Sequence, residues 1–132
     1  DITPFDGITK EEKKQMEHEA FKKVLGSLVN ADELYALFAE FDAHETNEAK
    51  VAHYCDKLEA DIQAKVYQDM GLHHSLDNQE NNVVFTSPKA KEMLGSAKTP
   101  FDIWYEYDKD IYKDAPVFKR TLDYVKDNDT NI

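Results

Sequence analysis

Asp56 is the residue of this 132-residue chain that most demands a chemical explanation. It stands in the run "HYCDKLEADIQAK", residues 53–65, whose spacing reads as an amphipathic helix. Ala52 and Ala60 lie four residues to either side of it, so that face would let another helix approach closely. A carboxylate in such a place needs an ion pair, hydrogen bonds or a metal ion to offset its desolvation. A buried salt bridge, a capping contact and a metal-ligand role are all open for Asp56 on spacing alone. His53 falls three positions earlier on the same helix face, so the two could share a metal. His-x-x-Asp by itself is a weak signal, and a partly exposed surface histidine explains His53 as well.

The other chemistry-bearing residues say less. His73 and His74 are adjacent in a polar stretch, able to chelate but equally at home in an ordinary loop. His18 and His44 stand among acids and read as solvated. Cys55 falls with large apolar residues and reads as core rather than nucleophile, since no base is recognisable near it. Asp1, in the opening loop, could join Asp56 at a metal-phosphate site, but a divalent ion used for hydrolysis wants three or four protein ligands plus water. The chain has no glycine-rich phosphate loop, no Gly-x-Ser-x-Gly elbow and no Cys-x-x-Cys pair.

Charge narrows the partners. The formal net charge is −11, from 27 acidic and 16 basic residues, which repels a nucleic-acid backbone. An anionic small substrate would need a cation to approach, most simply a metal. The single cysteine rules out an internal disulfide and fits a reducing compartment, so a cytoplasmic location is expected. No apolar run approaches the roughly 20 residues that span a bilayer, so no membrane role is expected. The chain opens "DITPFDG" without an initiator methionine, which reads as processing or as part of something longer.

These residues must be positioned by helices. Thr9 and Glu12 form a capping box before a helix of about 10–28, with Phe21, Val24, Leu25 and Leu28 on its apolar stripe. Asn30, with Glu33 in the reciprocal position, caps a second helix whose stripe is Leu34, Leu37, Phe38 and Phe41. Thr46 caps a third and longest helix that runs to Met70 and stops at Gly71. Val51, Cys55, Leu58, Ile62 and Val66 form one of its faces, and Ala49, Ala52, Asp56, Ala60, Gln63 and Tyr67 form another. Two such faces predict a central helix surrounded by neighbours.

Beyond Leu72 the pattern weakens, with "VVFT" as a β-prone run inside a loop. Ser87-Pro88 and Thr99-Pro100 each predict a helix start, and a last helix is expected over 116–126, followed by a fraying tail. No repeat or linker divides the chain, so residues 1–132 read as one all-α domain.

The stretches "DITPFDGITKEEKKQMEHEAFKKVLGSL" and "ETNEAKVAHYCDKLEADIQAKVYQ" resemble the later portion of HD-domain metal-dependent phosphohydrolases. The branch in question holds the bacterial 5'-deoxynucleotidases and their eukaryotic relatives. The likeness covers roughly residues 1–70, with residues 71–132 as a C-terminal helical extension. It implies an HD-type helical bundle lacking the dyad helices that precede this region. It further implies that Asp56, in "DKLE", is the family's last metal ligand, and that Asp1 matches the loop aspartate near the attacking water and the substrate phosphate. The implied cofactor is a divalent ion (Mn, Co, Mg, Fe or Zn). The implied substrate is a phosphomonoester such as a (deoxy)nucleoside 5'-monophosphate, and a homodimer is allowed. The family's first histidine, its His-Asp dyad and its catalytic glutamate have no counterpart here, so the chain alone is expected to be inactive. The rival expectation is a non-catalytic helical interaction module derived from an HD domain.

Overall fold

Thr9 opens the first helix with the predicted capping box. Its N–H and hydroxyl donate to Glu12 Oε2 at 2.9 and 2.8 Å, and the Glu12 N–H donates back to Thr9 Oγ1 at 3.2 Å. This computed structural model describes residues 7–73, 75–79, 81–82 and 85–130, among which there are six α-helices and no strand. The order is α1 (Lys10–Leu25), α2 (Ala31–Ala43), α3 (Asn47–Asp69), α4 (Pro88–Ser96), α5 (Pro100–Asp108) and α6 (Pro116–Asp127). The fold is all-α, as expected. α1 ends on Gly26, short of the predicted boundary at Leu28. Asn30 precedes α2 but makes no side-chain cap. Its backbone carbonyl, rather than its side chain, accepts from Leu34 N at 3.1 Å.

Thr46 does cap α3, accepting from Ala49 N at 3.2 Å. Gly71 stops the helix in the left-handed region at φ 71°. There Leu72 N donates to Tyr67 O and Gly71 N to Gln68 O, at 2.8 and 2.9 Å, which closes the helix end in the Schellman pattern. Ser87 and Thr99 cap α4 and α5, each ahead of a proline in the first turn.

The chain divides into two compact units after His53. In the first, Phe21 of α1 stacks on Phe38 of α2 with ring centroids 4.6 Å apart. In the second, Phe101, Tyr112 and Leu122 are the buried centre, and Tyr54, Leu58, Phe118 and Val125 pack around them.

Three expectations are corrected. The alanine stripe of α3 is covered only at its start: Ala49 is buried, but Ala52 and Asp56 are exposed and Ala60 is half-buried. Val51 and Cys55 on the apolar face are exposed too, so Cys55 is not core. Within the second unit α3 instead buries Asp61 and Lys65, a face that is polar in sequence but whose charges find partners in the chain. The tail is held rather than frayed as far as Thr130, whose N–H and hydroxyl both donate to Asp69 Oδ2 at 2.8 Å. The β-prone Val83–Val84 pair lies outside the described residues.

Candidate functional site

Asp56 stands nearer the start than the end of α3 with its side chain exposed. The capped start at Thr46 and the stop at Gly71 fix the length of this helix, and with it the place of Asp56. An exposed carboxylate carries little desolvation penalty, so it needs no buried counter-charge. The salt-bridge account of Asp56 depends on burial, and it loses its premise. Asp1 and His74 lie outside the described residues.

His44 is exposed and His53 partly exposed, as the sequence suggests, whereas His18 departs from its expected place. His44 takes the left-handed position that ends α2, at φ 53°. Its ring lies against that of His53, with centroids 4.0 Å apart. His18 is not simply solvated. Its Nδ1 is 3.0 Å from Tyr35 Oη and its Nε2 2.9 Å from Asp42 Oδ2, because α2 lays Tyr35, Phe38 and Asp42 over that face of α1. Lys14 Nζ joins Asp42 Oδ2 at 2.8 Å.

Among the described residues, no group of three or more His, Cys, Asp or Glu side chains is gathered to hold a metal ion. The divalent ion implied by the resemblance therefore does not fit these residues as a complete site. Asp56 is at most one donor of a set.

Another constellation escapes a reading of the sequence. Asp61 of α3, Asp108 at the end of α5 and Tyr112 in the following turn meet in the core of the second unit, all buried. The Tyr112 hydroxyl donates to Asp61 Oδ2 at 2.9 Å. Burial, then this bond and the charges of Asp61, Asp108 and Asp56, push the Tyr112 phenol above its ordinary value. Asp61 sits five residues past Asp56, where helical spacing predicts neither a ligand nor a core position. Nothing in its local sequence signals burial.

The same unit carries a cavity of about 410 Å³ whose walls include Leu76, Phe85, Pro100, Ile103, Trp104 and Tyr107. Among the described residues its lining contains neither lysine nor arginine to offer a phosphate.

Comparison with known proteins bears on the chemistry. The HD-domain family model matches residues 1–94. The chain is 39% identical to the mouse protein named 5'-deoxynucleotidase HDDC2 over 72 residues, which are 53% of this chain and 36% of that protein. It is 37% identical to the protein of the same name from Dictyostelium discoideum over 81 residues, 60% of this chain and 42% of that one. It is 36% identical to 5'-deoxynucleotidase hdd1 of Schizosaccharomyces pombe over 74 residues, 52% of this chain and 37% of that one. The chain thus spans well under half the length of these curated relatives, which are animal, amoebal and fungal. No solved structure matches it significantly. The matched region contains α1, α2, α3 and most of α4, and with 94 of 132 residues inside the family model this chain belongs to the HD-domain family.

Proposed function

We propose that this chain is part of a metal-dependent phosphohydrolase that releases phosphate from (deoxy)nucleoside 5'-monophosphates. The observation that carries the reading is the HD-domain match over residues 1–94, alongside relatives named as 5'-deoxynucleotidases. In this reading Asp56 contributes one carboxylate to a divalent ion, and Asp1 helps to position the water or the leaving group. The exposure of Asp56 on α3 favours such a role, since a ligand shared with another segment must be free to meet it. The −11 net charge gives an anionic nucleotide a reason to require a cation. The described residues hold no complete donor set, so we expect the 132 residues alone to release no phosphate.

The test is phosphate release from deoxyadenosine 5'-monophosphate by a form of the protein that carries the His-Asp dyad. Release that depends on added Mn²⁺ or Co²⁺ is the expected result. A dyad-bearing, folded form that releases no phosphate with any divalent ion overturns the reading.

A further inference from the structure

Three polar side chains from separate parts of the second unit meet in an apolar core: Asp61 from α3, Asp108 from the end of α5 and Tyr112 from the turn after it. Asp61 has 0% exposure and Asp108 3%. Tyr112 donates its one hydroxyl proton to Asp61 Oδ2. Asp61 Oδ1 is buried and has no protein donor. The Asp108 side chain lies within hydrogen-bonding reach of Asp61. Two ionised carboxylates cannot satisfy such a contact, since each only accepts. One proton between them turns it into an O–H···O⁻ bond of the strong, charge-assisted kind and supplies the missing donor.

The surroundings agree with a proton rather than a metal. No third His, Cys, Asp or Glu completes a donor set among the described residues. Lys57, which favours ionised Asp61, and Asp56, which acts on Tyr112, are among the charged groups whose fields reach the cluster; both are on α3. α6 presents Phe118, Leu122 and Val125 to this core, all apolar, and α5 adds Phe101. Lys65, the other buried charge on α3, is engaged by Asp69 at 2.6 and 2.7 Å.

We propose that Asp61 and Asp108 share one proton, and that this pair fastens α3 to the end of α5 and its turn until rising pH removes the proton and loosens the second unit. Burial first, and then the neighbouring Asp108, raise the Asp61 carboxyl to about 7, against the pull of the Tyr112 hydroxyl and Lys57. An unfolded aspartate releases its proton near the ordinary value of about 3.9. Between those values the folded chain holds a proton that the unfolded chain does not. The stabilisation is therefore full below the unfolded value and is lost as pH rises through the folded one. The departing proton goes to solvent, leaving two anions in the core.

Two measurements on the 132-residue chain test this. In a ¹³C titration of aspartate carboxyl carbons, one resonance pair should titrate close to neutral pH. Thermal midpoints between roughly pH 5 and pH 8 should fall more for the wild type than for Asp61→Asn, whose amide can donate where the shared proton stood. Asp108→Asn should flatten the profile in the same way. Carboxyl carbons all fully titrated by about pH 5, or parallel profiles for the wild type and both variants, would overturn the proposal. Should either variant fail to fold, the wild-type titration decides alone.

Discussion

His18 Nε2 and Asp42 Oδ2 lie 2.9 Å apart, and this contact joins α1 to α2 across 24 residues of chain. With Nε2–H donating to the carboxylate, Nδ1 is left to accept from the Tyr35 hydroxyl at 3.0 Å. Lys14 adds a further donor to the same carboxylate oxygen. Burial works to raise the Asp42 carboxyl, but the bonds from Lys14 and His18 outweigh it and hold it below its ordinary range.

Asp42→Asn should therefore destabilise the first unit by about 1–3 kcal/mol at neutral pH, the usual worth of a hydrogen bond to a charged group. A carboxyl depressed in the folded state stabilises above the unfolded value and loses that contribution as pH falls through the folded one. Urea denaturation at neutral and acid pH checks both points. The gap between the wild type and the variant should close toward about pH 3.

The start of α5 offers a local test. Asp102 accepts from Lys98 N and Thr99 N at 2.9 and 2.8 Å, and Thr99 Oγ1 accepts from Asp102 N at 3.4 Å. Thr99→Ala removes half of this box and should cost about 1 kcal/mol. Val117→Ala, at a side chain 61% exposed, should stay within about 0.5 kcal/mol. Thermal melts of the two variants side by side read the difference.

Leu122 has no exposure and is one of three buried residues at the centre of the second unit. Truncation to alanine leaves a cavity that Phe101 and Tyr112 cannot close, and should cost about 2–5 kcal/mol. A fall in the urea midpoint with an unchanged slope would mark this as a loss of stability rather than a change of denatured state.

Much of the helical order is legible in the sequence because it depends on local signals. The Thr9–Glu12 box, the Thr46 cap, the Gly71 stop and the two cap-proline pairs all act within a few residues and appear as read. The faces of α3 are another matter. Apolar spacing shows which side of a helix can be buried, but not whether anything lies over it. Val51 and Cys55 are therefore exposed, while Asp61 and Lys65 are buried. Asp61 is held by Tyr112 through a bond spanning 51 residues, which local pattern cannot reveal. Lys65 is held by Asp69 one turn away, a spacing that in sequence is indistinguishable from an ordinary surface ion pair. His18 departs from its solvated reading for a similar reason: its partners Tyr35 and Asp42 belong to the next helix.

The central claim rests on Asp56. In the dyad-bearing form, Asp56→Ala should lower Mn²⁺-dependent phosphate release by at least about 100-fold. It should also weaken Mn²⁺ binding measured by calorimetry. In the 132-residue chain, where the side chain is exposed, the same substitution should leave the thermal midpoint where it was. An Asp56→Ala protein that keeps its Mn²⁺ affinity and its phosphate release would contradict the account.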